Sequence, residues 1–240
     1  MLIYGVNPVL EALRAGHVRL VRIASPVRDR AREVRELAES LGVSVQAVAV
    51  ADLDRAARGG VHQGVAADVD PTPDYDVNDL VAAAKGPPLL VVLDGIEDPH
   101  NLGAILRSVD AVGADGIVRQ TRHAARLDGA AAKASAGAVA HVKVASVVNI
   151  SRAIAELKDA GVWTIGLDAD APEPYHQIDF TLPSAIVLGA EGQGLRRLVR
   201  ESCDRLAAIP MRGHVSSVNV SVAAAVVLFE ALRQRQAAGR

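Results

Sequence analysis

The chain has 240 residues, of which 50% are hydrophobic and 22% are charged, a composition that fits one large α/β unit or two modest domains and excludes a fibre, a disordered tail or a disulfide scaffold. Lys and Arg number 26 against 28 Asp and Glu, so a polyanion has to be met by local clusters of positive charge. The single cysteine, Cys203, excludes an intrachain disulfide and a multi-cysteine metal site; we expect no metal and a reducing, cytoplasmic location. The start lacks the features of a signal peptide, and no apolar stretch reaches the roughly 18 residues of a membrane span, so we expect a soluble protein without membrane contact.

The first seventy residues alternate helical and strand patterns. In chain order they predict a helix over 7–13, a strand over 20–24, a helix ending at Gly42, a strand over 43–50, a short helix over 51–58 and a short strand within GGVHQGVAADV. The following interval, 71–88, contains four prolines and several acids. We interpret it as a linker between a small α/β domain, 1–70, and a larger domain, 89–240.

After Pro88 the pattern becomes strand, helix, strand. Short runs that are apolar throughout are each followed by a helical segment, which is typical of a parallel sheet covered by helices on both faces. The runs are LLVVLDG, GIV, VKVASV, VWTIGLD, AIVLGAEG and LAAIPM, and the last helix covers 220–232. The larger domain is therefore predicted to be α/β with a ligand crevice at the carboxyl ends of its strands.

Three of these strand ends are followed by polar residues that could carry chemistry. Asn101 stands at the start of a helix whose other face carries Arg107, Glu191 lies within a glycine-rich turn, and Ser217 and Asn219 precede the last helix. Each group also has a purely structural interpretation, as a helix cap, a solvated side chain or a plain strand-to-helix turn. The turn fits neither GxGxxG nor GxxxxGK[ST], so neither a dinucleotide fingerprint nor a Walker loop is supported, which makes a nicotinamide-dependent oxidoreductase a distant alternative.

Together the three segments resemble the three motifs of the SpoU (TrmH) family of the SPOUT methyltransferases, which methylate ribose 2′-hydroxyls in tRNA and rRNA. DPHNLGAILRSVDAVGADGIV is similar to the first motif, IVLGAEGQGL to the second and IPMRGHVSSVNVSVAAAVVLFEA to the third. The likeness runs from Leu89 to the C-terminus and is closest to the RlmB-type branch that acts on 23S rRNA. More weakly, IYGVNPVLEAL and GGVHQGVAADV resemble the family's N-terminal substrate-binding domain, which is similar to ribosomal protein L30e.

The resemblance implies a trefoil-knotted methyltransferase domain, S-adenosylmethionine as cofactor and a homodimer with the cofactor site near the subunit interface. It also implies which positions match the family's functional residues. The catalytic positions are Asn101, Arg107, Glu191, Ser217 and Asn219, and the backbone positions that hold the cofactor are Gly189, Ile209 and Val218. One departure is His123, where many relatives are expected to have arginine, and this puts a local RNA contact in doubt.

The chemistry of ribose methylation leaves two roles open. The family's proposed base is Arg107, but a guanidinium with a pKa above ~12 is a poor proton acceptor, so we favour Arg107 as a clamp for phosphate and hydroxyl groups. Glu191 could accept the proton, or it could orient Asn101 and Arg107. The residue types do not decide between these roles.

The partner predicted from these residues is RNA, and we favour 23S rRNA, with no role for DNA. The charge pattern supplies two basic clusters, one of Arg119, Arg122, Arg126, Lys133 and Lys143, in which Asp128 is the opposing acid, and one of Arg196, Arg197, Arg200 and Arg205. A helix over 220–232 that is apolar nearly all round favours a homodimer. The alternatives are a tRNA 2′-O-methyltransferase and a non-catalytic RNA-binding or ribosome-assembly protein on the same fold.

Overall fold

A computed structural model describes residues 1–27, 29–70, 73, 75–127 and 129–239. The strands are β1 (Leu2–Tyr4), β2 (Val18–Ala24), β3 (Ser44–Val48), β4 (Val65–Val69), β5 (Leu89–Asp94), β6 (Gly116–Gln120), β7 (Val144–Val147), β8 (Trp163–Leu167), β9 (Ser184–Gly189) and β10 (Arg205–Ala207). The α-helices are α1 (Val6–Arg14), α2 (Asp29–Ser40), α3 (Val50–Ala56), α4 (Val77–Ala82), α5 (Pro99–Val112), α6 (Gly129–Ala134), α7 (Ile150–Asp159), α8 (Arg197–Ser202) and α9 (Val220–Ala237). Short 3₁₀ turns cover Ala138–Ala140 and Tyr175–Gln177.

The chain forms two compact units. The first contains Met1–Thr72, Leu102–Arg107 and Arg126–His141, and the second contains Pro73–Asn101, Ser108–Ala125 and Val142–Arg240. Helix α5 therefore contributes residues to both units. The first unit is completed by two segments, Leu102–Arg107 and Arg126–His141, that are far from its other residues in sequence. Local sequence patterns could not have predicted this assignment.

The first unit is built on a four-stranded mixed sheet with the order β1-β4-β2-β3. Strand β2 pairs with β3 in parallel and with β4 antiparallel, and β1 also pairs with β4 antiparallel. Helix α1 is amphipathic, and its face of Val6, Val9 and Leu13 is buried. The sequence analysis missed β1, because three residues are too few to display an alternation of polar and apolar side chains.

The ring of Tyr4 in β1 lies between two glycines of the first unit. A Cβ atom added at Gly60 would lie 2.4 Å from the Tyr4 hydroxyl, and one added at Gly129 would lie 2.0 Å from the Tyr4 ring. The absence of side chains at both glycines lets the loop before β4 and the start of α6 approach the same ring. This packing explains why α6 belongs to the first unit.

The second unit contains a six-stranded sheet with the order β10-β8-β9-β5-β6-β7, and all five strand pairings are parallel. Strand β5 is buried along its whole length, as expected for a central strand with helices on both faces. The predicted α/β class and the parallel sheet are confirmed. The trefoil knot stays a prediction.

Helix α9 is held to the second unit by apolar packing and by hydrogen bonds from its last turns. The Arg235 guanidinium donates to the carbonyl oxygens of Pro87, Phe180 and Leu182, among others, and Gln234 accepts from the backbone N–H of Phe180 at 2.8 Å. The buried side chains of the helix are Val220, Ala224, Val227, Leu228 and Ala231. One subunit thus already covers a large part of the apolar surface that the sequence analysis assigned to a dimer contact.

The interval 71–88, predicted to be a linker, contains α4. Asp76 and Asp79 cap this helix reciprocally, each side chain accepting from the other residue's backbone N–H at 2.8 and 2.9 Å. Val77 and Leu80 are buried in the core of the second unit. The four prolines of the interval led to its prediction as a linker, and the short helix between them was not predicted. Residues 71, 72 and 74 of the interval lie outside the described residues. The domain limits 1–70 and 89–240 remain a prediction.

Among the described residues, no helix is both long enough and apolar enough to cross a bilayer.

Replacing Gly103 of α5 by alanine should lower the thermal midpoint of unfolding. The added Cβ would lie 2.3 Å from the Cβ of Ala134 and 2.8 Å from the carbonyl oxygen of Ala131, both in α6. Overpacking of this kind costs roughly 1–3 kcal/mol, which exceeds the gain of up to about 1 kcal/mol in helix propensity. Gly86→Ala is the control, since a Cβ there would meet nothing within 4 Å. Equal midpoints for the two variants would contradict the predicted close approach.

Candidate active site

The loop after β9 closes through contacts that only glycine permits. Gly194 donates its backbone N–H to the carbonyl oxygen of Ala190 at 2.8 Å, and Gly192 and Gly194 have φ angles of 76° and 66°. A Cβ atom at Gly189 would lie 2.1 Å from the carbonyl carbon of Gly194. The loop therefore folds back on the end of its own strand, with Glu191 at the turn.

Three side chains that are far apart in sequence meet at this loop. The Asn101 amide Nδ2 donates to Glu191 Oε2 at 3.0 Å, and Asn219 Nδ2 donates to Asn101 Oδ1 at 2.9 Å and to Glu191 Oε1 at 3.4 Å. Asn101 is buried, whereas Glu191 is exposed. Two amides thus fix the orientation of one carboxylate while leaving it accessible.

Helix caps hold both asparagines in place. Asp98 caps α5, and its carboxylate accepts from the backbone N–H of Asn101 at 3.2 Å. Asn219 itself caps α9, with its Oδ1 accepting from the Ser221 backbone N–H at 2.9 Å. The structural interpretation of Asn219 as a cap is therefore correct, and the same side chain still reaches Glu191 through its Nδ2.

An ion pair between a buried carboxylate and a half-exposed arginine anchors the far end of the loop. Asp94, at the end of β5, accepts from the Arg196 backbone N–H at 3.0 Å and from its Nε at 2.7 Å, and the Asp94 side chain is 0% exposed. Arg196 Nη2 also donates to Gln120 Oε1, at the end of β6, at 2.9 Å. The loop is thereby tied to the carboxyl ends of two neighbouring strands.

A cleft of about 650 Å³ opens between this loop and the segment that leads into α9. Apolar side chains of Leu167, Ile209, Met211 and Val218 line part of it, together with the backbone of the glycine-rich loop. Its charged lining consists of the carboxylates of Asp168, Asp170 and Glu191, with no lysine, arginine or histidine among the described lining residues. The cleft is suited to a ligand that combines an apolar part with positive charge.

Asp168 remains ionised on the wall of this cleft. A side-chain hydrogen bond from Arg200 lowers the pKa of Asp168 below its usual value, against an opposing effect of burial. The same contact raises the pKa of the Arg200 guanidinium. Asp168 is a candidate site residue that the sequence analysis did not single out, although it follows the apolar strand β8 directly.

The residues singled out from the sequence fall into three places. Gly189, Glu191, Ile209, Ser217, Val218 and Asn219 line the cleft of the second unit. Asn101 does not line it but contacts Glu191 and Asn219 as described above. Arg107 belongs to the first unit and is exposed on α5, and its side chain makes no hydrogen bond or ion pair with another described residue. Asp94 and Gln120 were not predicted as site residues. One feature of the sequence could have identified them, since each is a polar residue at the end of a buried strand.

The second basic cluster is neutralised by ion pairs. Its four arginines each pair with an acid: Arg196 with Asp94, Arg197 with Glu201, Arg200 with Asp168, and Arg205 with Glu173. Each arginine of this cluster is thus paired within the chain but stays partly exposed, and its contact with RNA stays a prediction.

The first basic cluster contains both buried and exposed side chains. Arg119 is buried, and desolvation lowers the pKa of its guanidinium, while Lys133 donates to the carbonyl oxygen of Val61 at 3.0 Å. Arg122 and Arg126 are exposed and have no ion-pair partner among the described residues; Asp128, their predicted neighbour, lies outside that range.

Comparison with known proteins agrees with this arrangement. Residues 88–229 match the model of the SpoU rRNA Methylase family, and residues 2–75 match the model described as RNA 2′-O ribose methyltransferase substrate binding. The 23S rRNA (guanosine-2′-O-)-methyltransferase RlmB of Photobacterium profundum is 41% identical over 240 residues, covering 98% of each chain. An uncharacterized tRNA/rRNA methyltransferase of Mycolicibacterium vanbaalenii is 45% identical, covering 99% of this chain and 77% of that protein. The crystal structure of the SpoU methyltransferase AviRb from Streptomyces viridochromogenes in complex with AdoMet has a TM-score of 0.82 and 28% identity, covering 99% of this chain and 91% of that one.

Replacing Arg196 by alanine should lower the free energy of unfolding by about 3 kcal/mol, because it leaves the buried Asp94 carboxylate without its ion partner. The effect lies at the lower end of the range for a broken buried pair, since the backbone N–H of residue 196 still donates to Asp94. Arg197→Ala is the matched control, because its pair with Glu201 is exposed and contributes less than about 1 kcal/mol. Denaturant unfolding measures both values, and similar losses in the two variants would refute the anchoring role of Arg196.

Proposed function

Because the chain belongs to the SpoU rRNA methylase family and is an S-adenosylmethionine-dependent RNA ribose 2′-O-methyltransferase, we propose that its substrate is a guanosine of 23S rRNA. The match to RlmB over nearly the whole of both chains supports this substrate. The match of residues 2–75 to a substrate-binding model supports RNA binding by the first unit, and the L30e likeness of that unit is part of the proposal. Such a substrate implies action in the cytoplasm.

The cleft of the second unit fits the cofactor. S-adenosylmethionine supplies an electrophilic methyl group on a positively charged sulfur. The three carboxylates of the lining match this positive charge, and the apolar side chains of Ile209, Met211 and Val218 offer a surface for the adenine ring. We assign the holding of the cofactor to the backbone near Gly189, Ile209 and Val218.

We assign the role of proton acceptor to Glu191. It is the one titratable member of the hydrogen-bonded group, since Asn101 and Asn219 are amides that donate to its oxygens. The two amide donors hold the carboxylate oxygens in a fixed direction. In this assignment Glu191 would take the proton of the ribose 2′-hydroxyl while the 2′-oxygen bonds to the methyl carbon and the bond from that carbon to sulfur breaks, its electron pair leaving with the neutral thioether S-adenosylhomocysteine. Asn101 and Asn219 then act as positioning residues.

Arg107 and Ser217 complete the proposed machinery. Arg107 is exposed and free of ion pairs among the described residues, and its fork of N–H donors suits a phosphate of the RNA backbone. Ser217 lines the cleft beside Val218, where its hydroxyl is available to the ribose or to the cofactor. The return of the segment before α9 to the loop after β9 supports the trefoil knot as part of this proposal.

The substrate is tested by incubating the protein with labelled S-adenosylmethionine and with unmodified 23S rRNA, 16S rRNA or tRNA transcripts. We expect label in 23S rRNA at one guanosine, and no label when that nucleotide carries a 2′-deoxyribose. Label in tRNA alone would establish the tRNA alternative. RNA binding without transfer, together with no cofactor binding by calorimetry, would establish the non-catalytic alternative.

Replacing Glu191 by glutamine should lower kcat at least a hundredfold at neutral pH, because the amide cannot accept the proton, a role that contributes roughly 10²–10⁴ in rate. Cofactor affinity should fall much less than kcat, since Gln keeps the size of the side chain and the carboxylates of Asp168 and Asp170 remain in the lining. Asp110→Asn, at an exposed position of α5, is the control. A Glu191→Gln variant with near-normal kcat would assign the proton to another group.

Arg107→Ala should instead spare cofactor binding and raise the KM for RNA.

We also propose a homodimer that uses the outer face of α9. On this face Val222 and Phe229 are 48% and 50% exposed, and Val215 and Val218, shortly before the helix, are exposed as well. Val227, by contrast, is completely buried within the subunit, so a substitution there would disturb folding rather than association. Exposed apolar side chains clustered around one helix are typical of an association surface.

Replacing Phe229 by glutamate should shift the protein from dimer to monomer in light scattering at micromolar concentration and reduce methyl transfer. The charged side chain would have to be desolvated in the contact. Leu41→Glu, at another exposed apolar position, is the matched control and should leave the dimer intact. A wild-type protein that is monomeric and fully active at low concentration would disprove the proposed dimer.

A further inference from the structure

A second cavity, of about 380 Å³, adjoins the cofactor cleft. The two share Ala190, Glu191, Gln193 and Gly194, so the loop after β9 separates them. Asn101 lines only the smaller cavity and Asn219 only the larger one. The carboxylate of Glu191 therefore lies at the boundary, with one amide neighbour on each side.

This boundary restricts where the target nucleoside can be bound. If Glu191 takes the proton of the 2′-hydroxyl and the methyl group comes from the larger cleft, the nucleoside has to approach from the other side of the loop. The smaller cavity is on that side, and its volume lies within the range of small-molecule sites. Enzymes that act on one nucleotide of a folded RNA commonly bind it unstacked in such a pocket.

The polar lining of the smaller cavity contains a rigid arginine. Arg196 is fixed by Asp94 and Gln120 through its Nε and Nη2, yet its side chain is 54% exposed. Its Nη1 group makes no hydrogen bond to another described residue. Two donors of a fixed guanidinium therefore remain available on the cavity wall.

The same cavity contains a carboxylate with little to neutralise it. Glu97 is 67% exposed, and the basic side chain beside it is His123, with His123 Nδ1 at 3.7 Å from Glu97 Oε1. The other acids of the lining already accept hydrogen bonds within the chain. Asp94 accepts from Arg196, Asp98 from the backbone N–H of Asn101 at the start of α5, and Glu191 from Asn101 and Asn219. Glu97 is thus the acid of this lining whose carboxylate accepts no hydrogen bond from another described residue, so both of its oxygens are available to a ligand.

A free carboxylate and a fixed guanidinium in the lining of one cavity are complementary to guanine. Guanine presents two adjacent donors, N1–H and the 2-amino group, on one edge and the acceptors O6 and N7 on another, and arginine is the usual partner of O6 and N7. Adenine lacks the two adjacent donors that guanine has at N1–H and the 2-amino group. Cytosine and uracil lack the combination of two adjacent donors with a second edge of two acceptors. The lining therefore favours guanine over the other three bases.

We propose that the smaller cavity binds the guanine base of the target nucleotide, with Glu97 accepting from N1–H and the 2-amino group and Arg196 donating to O6. This inference rests on the proposed function and adds the residues that select the base. Glu97 is a specificity-determining residue here, and it takes no part in the transfer of the methyl group.

The test compares 23S rRNA transcripts in which the methylated nucleotide is guanosine or inosine, which lacks the 2-amino group. For the wild-type protein we expect kcat/KM to be about tenfold or more higher for guanosine, the size of effect expected when one base contact is lost. Glu97→Gln should lower the value for guanosine and bring the ratio close to 1. Glu156→Gln, at an acid of α7 that does not line this cavity, should keep the wild-type ratio. A Glu97→Gln variant that also keeps the wild-type ratio would overturn the proposal.

A binding measurement separates this inference from the proposed function. When guanosine 5′-monophosphate is titrated into ¹⁵N-labelled protein, the backbone resonances of Glu97 and Gly194 should shift more than with adenosine 5′-monophosphate at the same concentration, and Glu97→Gln should remove the difference. Equal shifts with both nucleotides would overturn the guanine assignment even if rRNA is methylated. Selective shifts without methyl transfer to any rRNA would support the cavity and refute the proposed function.

Discussion

The fold-back of the loop after β9 is the constraint on which the site depends. Gly189 and Gly194 approach so closely that one added methyl group would overlap the backbone. This approach turns the chain at Glu191 and brings Arg196 back to the buried Asp94. A loop that could not close in this way would separate the proposed proton acceptor from the two amides that orient it.

The closed loop also divides the charges of the second unit. On one side it faces a cleft with carboxylates and no cationic side chain among its described lining residues, suited to a positively charged cofactor. On the other side it faces a cavity that combines Arg196 and His123 with Glu97. Because electrostatic interactions are stronger away from bulk water, this division favours a cation on one side and a base with both donors and acceptors on the other. Glu191 lies where the two environments meet.

Ion pairing within the chain changes how its basic residues are interpreted. Arg196, Arg197, Arg200 and Arg205 form a basic run in the sequence, but each is matched with an acid brought close by the sheet or by the next helical turn. The exposed Arg107, Arg122 and Arg126 have no such partner among the described residues and are better candidates for phosphate contacts. Charge in a sequence therefore indicates an RNA surface only after the acids of the folded chain have been accounted for.

The sequence by itself determined the α/β class, most of the strands and helices, and the family, because apolar periodicity and the three motifs are local patterns. It also identified Asn101, Glu191 and Asn219 as members of those motifs. Only the tertiary structure brought these three residues together, assigned α6 to the first unit, and showed that Val227 faces the core while Phe229 faces outward. It also revealed that Asp94 neutralises Arg196. The physical reason is that hydrogen bonds, ion pairs and burial depend on distances between segments that are far apart in sequence, 118 residues for Asn101 and Asn219. Such distances are set by packing of the whole sheet rather than by neighbouring residues.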